Sequence, residues 1–348
     1  MISEYLKNLL DSVSISKNEL LAMPDKSYKA IYPLTSHIDM DSKEILTPFY
    51  QASMEMPGFM GDYNVSPEYV TILSNYRYRY FIIKDRDTYI LITLKIVDPP
   101  SVQRYFVLTY MPMSLSGVKK HYIELIKLIP CIKMAEIITE PPYTRNTYYN
   151  LLEDFQRMSR SKWRSSHGIN KLSNLISVCQ CAEKEPFVVD EYDKIFEIWC
   201  QQSGKITKGD ADWRYYIKSD HKALDIASKS ETGFVMSFWY QDTIVGMTIG
   251  IPYLTDECII IPTQRSIGVG TVAFIQEYLG VDEQTAQDIK KYLGSFIQYH
   301  IHRMCFDYYK DIKALFYGGD MDDKNMKYFK ELHYKHSINY RRVPIQEV

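Results

Sequence analysis

At 348 residues the chain is long enough to bury two separate cores, and its 46% hydrophobic and 24% charged content is that of a globular protein. A net charge of −2 excludes a chain-wide positive field for nucleic acid, so any basic site must be local. No stretch approaches the roughly 18 apolar residues of a membrane-spanning helix, and the 6 cysteines form no C-x-x-C pair or disulfide framework, which points to a reduced, cytoplasmic setting.

The first twenty residues contain acidic side chains and no long apolar run, so no signal peptide is expected there. Leu6, Leu9, Leu10 and Val13 follow helical spacing, while residues 23–75, rich in Pro, Met, Ser and Asp, give no clear element. From Tyr76 to Val97 two strands join at Asp85-Arg86-Asp87 as a hairpin, and Val102–Met113 supplies a third strand. Ser116–Ile129 carries an apolar stripe at helical spacing, and Met134–Glu140 is a strand stopped by Pro141-Pro142.

A helix is expected near Tyr148–Met158, a strand at Leu175–Cys181 and a helix over Val188–Gln202. Phe234–Tyr240 and Thr243–Tyr253 form a second hairpin around Gln241-Asp242, followed by a strand-like Glu257–Thr263. TVAFIQEYLG, Thr271–Gly280, reads about equally as helix or strand. A long helix over Asp282–Arg303 and a strand at Ile312–Tyr317 come next. Gly318-Gly319 then permits a sharp turn, Asp320, Asp322 and Asp323 suit a helix start, and a last strand runs from about Asn339 to Ile345. Each half thus holds a hairpin, a further strand, a helix and a strand, without a residue-level repeat.

Three constellations carry chemistry. Arg157–Lys171 packs Arg157, Arg160, Lys162, Arg164 and Lys171 around Trp163, a composition that suits phosphate contacts and stacking, or a solvated helix face. Arg265-Ser-Ile-Gly268-Val-Gly270 exposes backbone amides that suit a pyrophosphate if a helix follows; if a strand follows, the glycines mark a bulge. Phe329-Lys330 sits on a helix after the Gly318-Gly319 step, where Lys330 is either a cleft cation or a surface lysine pairing along its helix. His300 and His302 fall on different helix faces, and His333 and His336 lack a third ligand, so no metal site is expected. No G-x-S-x-G elbow or G-x-x-x-x-G-K-[ST] loop is present.

The order of elements, the R-x-x-G-x-G loop and the Gly-Gly to Phe-Lys passage resemble the Gcn5-related N-acyltransferase (GNAT) superfamily, and within it the Fem-type aminoacyltransferases. The resemblance implies an α+β protein of two tandem GNAT-like domains, 1–150 and 151–348, the second of them catalytic. It implies transfer of an acyl or aminoacyl group to an amine, with acyl-CoA or aminoacyl-tRNA as co-substrate and no permanently bound cofactor. By the same resemblance Lys330 would stabilise an oxyanion, with Tyr317 and Tyr309 beside the cleft as proton donors. Gly318, Gly319 and Phe329 would shape the cleft; Arg160, Lys162, Arg164 and Lys171 would meet the donor's phosphates, and Arg265, Gly268 and Gly270 would hold the pyrophosphate. A non-catalytic binding module and a phage-type nucleobase-modifying acyltransferase are the alternatives. The span 203–230 is too short for the paired helical arm of some Fem proteins.

Overall fold

The computed structural model describes residues 31–34, 72, 78–85, 88–97, 104–110, 136–138, 143–151, 163, 166–180, 189–204, 206–253, 255–309, 311–319 and 324–342. The chain divides into two compact units, Met1–Asn146 with Ile338–Val348, and Thr147–Ser337. The expected helices over 1–22 and 116–129 lie outside the described residues.

The first unit holds a sheet of β1 (Ile31–Leu34), β2 (Tyr78–Asp85), β3 (Thr88–Val97), β4 (Arg104–Tyr110) and β5 (Glu136–Ile138), arranged in sequence order. Its first three pairings are antiparallel, and β4–β5 is parallel, matching Arg104, Tyr105 and Phe106 with Glu136, Ile137 and Ile138. The hairpin around Asp85-Arg86-Asp87 forms as its alternating β-branched and aromatic residues predict.

A second, seven-stranded sheet begins at β6 (Tyr143–Leu151), where the sequence suggested a helix over Tyr148–Met158. That expectation is corrected over Tyr148–Leu151, its remainder lying outside the described residues: YTRNTYYNL is rich in Thr and Tyr, and it pairs antiparallel with the strand at Ala314–Gly319. The short helix α1 (Ser166–Leu172), β7 (Ile176–Gln180), α2 (Val189–Ser203) and α3 (Ala211–Lys229) follow. Helix α3 was not assigned from sequence; Asp210 caps it by accepting from the Trp213 amide. Next come β8 (Phe234–Tyr240), β9 (Thr243–Tyr253), β10 (Thr255–Ser266), a 3-10 turn at Ile267–Val269, α4 (Val272–Leu279) and α5 (Glu283–Tyr308). The chain closes with β11 (Ala314–Gly319), α6 (Lys324–His333) and β12 (His336–Arg342).

The strand order is β12-β6-β11-β10-β9-β8-β7. Helices α2 and α3 pack on β9 and β10, while α5 packs with α1 and α4. Inward residues of α5 recur at helical spacing, Ile289, Leu293, Phe296, Ile297 and Met304, all fully buried. The protein is α+β, as expected, with two mixed sheets of which the seven-stranded one is flanked by the described helices, and the order of one sheet, β1 to β5, recurs in the other as β7 to β11.

Candidate active site

The pairing of β10 with β11 is parallel and short: Cys258, Ile259 and Ile260 face Ala314, Leu315 and Phe316, and there it stops. Yet β10 continues to Ser266 and β11 to Gly319. Both strands carry an irregularity just past the last paired residue. Against β9, β10 shifts register between Ile260 and Thr263, which places the bulge at Ile261-Pro262. Pro262 has no N–H to give to a neighbouring strand, so a proline inside a strand belongs at such a bulge. Against β6, β11 shifts between Phe316 and Gly319, and Gly318 takes a φ of 50°, a conformation that glycine adopts without a Cβ penalty. The glycine pair therefore does not end the strand, as expected from sequence, but bulges it. The outcome is a gap between two neighbouring strands whose facing backbone groups no longer bond to one another.

Successive residues of a strand face opposite sides of its sheet, so Gln264 and Arg265 look in opposite directions. On the side of α5 a chain of polar groups crosses the gap. The Tyr317 hydroxyl donates to Gln264 Oε1 at 2.9 Å, and Gln298 Nε2 donates to the same oxygen at 2.6 Å. Tyr334 in turn donates its hydroxyl to Gln298 Oε1 at 2.6 Å, and its ring stacks on Tyr317 at 5.4 Å. Burial pushes the phenols of both Tyr317 and Tyr334 up, so both stay protonated at neutral pH.

Lys330 is 4% exposed. Its ammonium donates to the Tyr317 carbonyl at 2.6 Å, on the bulge itself, and lies 4.7 Å from the Tyr317 ring centroid. It is thus a buried cation bound to the backbone that opens the gap. Phe329 beside it packs on Gly294 of α5 at 3.1 Å from where a Cβ would stand, and edge-on to His333 at 4.8 Å. Behind α6, Asn150 joins three elements. Its amide nitrogen meets His302 Nε2 at 2.8 Å and the His333 carbonyl at 2.7 Å, while its oxygen accepts from the Lys335 amide at 2.7 Å. His302 Nδ1 donates to the Gln298 carbonyl at 2.7 Å, which leaves Nε2 as the acceptor of a neutral imidazole. Burial pulls His302 down to about 4.

On the other side, Arg265 is fixed by Asp220 of α3, 2.9 Å from Nη2 to Oδ2, with side chains 13% and 8% exposed. Tyr192 donates its hydroxyl to the same carboxylate oxygen. The guanidinium lies 4.2 Å from the Trp199 ring centroid. Burial alone would lower the Arg265 pKa, but the adjoining Asp220 carboxylate and Tyr192 together outweigh it and the net shift is upward. The same burial raises the thiol of neighbouring Cys200 to about 11, so that cysteine is no nucleophile.

After Arg265 the chain makes the 3-10 turn and enters α4, so the segment that read as helix or strand is a helix. Thr271 caps it, accepting from the Phe274 amide at 3.1 Å. The next amides at its start, those of Val272 and Ala273, belong to the helix turn that has no internal acceptor. The two glycines differ. A Cβ on Gly270 would stand 2.7 Å from Phe274 Cδ1 and 3.1 Å from the Ile267 carbonyl oxygen, whereas one on Gly268 would meet nothing nearer than 3.5 Å. Gly270 is required by packing, whereas a Cβ on Gly268 would make only ordinary contacts with Ser266 and Leu293.

The structure brings together Tyr317, Gly318, Phe329 and Lys330, and sets the Arg265–Gly270 segment at the end of the gapped strand. Tyr309 does not join them: its hydroxyl donates to the Gly233 carbonyl at 3.1 Å at the start of β8, two strands from β10, and burial pushes it up to about 12. Lys171 is paired with Asp288 of α5 at 2.8 Å. Arg160, Lys162, Arg164 and the Asp320, Asp322, Asp323 cluster lie outside the described residues. Among the described residues no three His, Cys, Asp or Glu side chains gather to hold a metal, and no helix is long and apolar enough to cross a membrane. Sequence reasoning missed Gln264, Gln298, Asp220 and Asn150; the one available signal was Pro262 within an apolar strand.

No family model matches the chain, and neither does any curated protein. Solved structures do. A conserved protein of unknown function from Bacteroides thetaiotaomicron aligns over 87% of this chain and 96% of its own, at 10% identity and a TM-score of 0.52. L-PGS from Bacillus licheniformis aligns over 88% and 92%, at 13% identity and a TM-score of 0.47. A tandem GNAT protein from the clavulanic acid biosynthesis pathway aligns over 91% and 98%, at 7% identity and 0.46. At such identities the likeness is one of fold. The architecture is α+β with mixed sheets, and in the second sheet the parallel pairing of β10 with β11 stops after three residues.

Proposed function

We propose that the chain is a GNAT-type N-acyltransferase whose second sheet binds an acyl thioester in the gap between β10 and β11. The observation that carries this is the pair of bulges, at Ile261-Pro262 and at Tyr317-Gly318, which open the strands just ahead of a glycine loop and the start of α4. Backbone groups released from strand pairing suit the amide-bearing arm of an acyl-CoA. The Gly268–Ala273 stretch offers amides and a helix N-terminus to its pyrophosphate. Aminoacyl-tRNA is the other donor in view; of its expected contacts, Lys171 pairs with Asp288, and Arg160, Lys162 and Arg164 lie outside the described residues.

In this reading the gap holds the thioester carbonyl and an acceptor amine in attack geometry. The amine nitrogen bonds to the carbonyl carbon, and the π pair moves to oxygen. When that pair returns, the carbon–sulfur bond breaks, and the thiolate leaves with the proton the amine gives up. Lys330 serves as a positioning residue by holding the Tyr317 carbonyl and therefore the bulge. Arg265 anchors β10 on its other face through Asp220, so its part in the loop is structural.

Calorimetric titration with coenzyme A, acetyl-CoA and bulk tRNA tests this. Both CoA compounds are expected to bind, and Gly268→Asp, whose Cβ meets only ordinary contacts, is expected to weaken them at least tenfold by placing a negative charge on the loop that takes the pyrophosphate. A folded wild-type protein that ignores coenzyme A and binds tRNA overturns the donor assignment.

A further inference from the structure

We infer that Gln264 is a catalytic residue of this cleft, its carboxamide N–H donating to the carbonyl oxygen of the acyl group; the inference rests on the acyl-CoA reading above. Gln264 stands on β10 beyond Ile260, the last residue that β10 shares with β11. Two donors, the Tyr317 hydroxyl at 2.9 Å and Gln298 Nε2 at 2.6 Å, converge on its Oε1. An amide oxygen has two lone pairs, and here both are taken. That fixes which end of the carboxamide is oxygen and leaves the nitrogen, a double donor, without a partner among the described residues.

The orientation is enforced from further back. Gln298 is fully buried on α5, its own oxygen accepts from Tyr334 at 2.6 Å, and its nitrogen is the end that faces Gln264. The chain runs Tyr334 to Gln298 to Gln264, each donating to the next, and such chains polarise the final N–H. A carboxamide held by two buried or half-buried partners does not reorganise as negative charge grows on an oxygen before it, which is the requirement for stabilising an oxyanion. The oxygen is anchored on both lone pairs while the half-buried residue keeps its nitrogen available to a ligand. Nothing in this arrangement depends on titration.

The test uses the full chain with acetyl-CoA labelled with 13C at the carbonyl. The carbonyl stretch of the bound ligand is read by isotope-edited infrared difference spectroscopy, and affinity by calorimetry. In the wild type the stretch is expected to fall below that of free acetyl-CoA, because a donated hydrogen bond weakens the C=O bond. Gln264→Met is expected to return it to the free position with affinity within about threefold. Gln264→Glu gives the same loss and keeps an oxygen for Tyr317 and Gln298, which guards against a folding defect. With an accepted amine, kcat falls about 10²-fold and KM for acetyl-CoA holds. A downshift that survives in both variants overturns the role of Gln264 and leaves the acyl-CoA reading standing. Failure of the wild type to bind acetyl-CoA overturns both.

Discussion

The two sheets begin alike and part at one place. In each, antiparallel strands lead to a parallel pair matched over three residues, Arg104–Phe106 with Glu136–Ile138 in the first and Cys258–Ile260 with Ala314–Phe316 in the second. Beyond that match β4 goes on in unbroken register with β3, from Val97 and Arg104 to Leu91 and Tyr110. The equivalent stretch of β10 is bulged at Ile261-Pro262, and β11 is bulged at Tyr317-Gly318. The same strand order thus goes with a regular β4 or a bulged β10, and a proline stands at the β10 bulge and a glycine at the β11 bulge. Beyond the bulge β10 stays paired with β9, and on the side that β11 leaves it is held by side chains, Gln264 on one face and Arg265 on the other.

If side chains replace strand pairing there, breaking their anchors must cost more than ordinary surface changes. The largest effect is expected from Asp220→Ala. It strands a buried guanidinium and the Tyr192 hydroxyl, and removing one partner of a buried ion pair costs about 3–5 kcal/mol. Urea denaturation of the variant measures it. A loss below about 1 kcal/mol would mean that β10 is held by its pairing with β9 alone.

The next effect is pH dependence from His302, which backs the α5 side of the opened sheet. Its pKa in the fold is about 4 against an ordinary 6.5, because burial disfavours the charged ring. The unfolded chain therefore binds the extra proton first as pH falls. Stability from this group is fully present above about 6.5 and is lost on descending through about 4, amounting to about 3 kcal/mol. Denaturation midpoints between pH 7 and 4 should show the slope in the wild type and a flatter one in His302→Gln.

Much of the second sheet was legible from residue types. The hairpin Phe234–Tyr240 with Thr243–Tyr253 was bounded as the structure bounds it, because alternating apolar residues and a Gln-Asp turn are local signals. The helix over Tyr148–Met158 failed for the opposite reason: Tyr148 and Asn150 are buried on β6 only because β11 pairs with it from over 160 residues away. The site divides in the same way. The glycines of the Arg265–Gly270 loop showed in a six-residue window, whereas Gln264, Gln298 and Tyr334 meet across separations of 34 and 36 residues. Their meeting depends on a bulge that sets the side-chain phase of β10, and no periodicity announces it. Lys330 was found by its motif, but its partner, a backbone carbonyl, could be seen only in the fold.

Lys330→Met separates bulge-holding from general stability. The substitution keeps the stem and removes the ammonium, leaving the Tyr317 carbonyl with one donor fewer at a cost of about 1–3 kcal/mol. If the lysine holds the gap, binding of coenzyme A weakens alongside. Unchanged affinity in the folded variant would assign Lys330 to packing alone.

The smallest change in stability and the sharpest comparison come from Pro262→Val. Valine restores the missing N–H and favours an extended strand, so β10 gains the means to resume the regular register that β4 keeps. The residue is half-buried and its replacement is close in volume, so stability is expected to move by less than about 1 kcal/mol. Affinity for coenzyme A, by contrast, is expected to drop, since a closed gap has no backbone groups left to offer. Amide hydrogen exchange reports which of the two happened: stronger protection at Thr263–Arg265 means the strand has closed. Affinity that persists with that protection gained would remove the gap from the binding reaction and leave only the loop. If protection and affinity both stay as in the wild type, the bulge is set by Gly318 and the anchors of Gln264 and Arg265, and proline merely tolerates it.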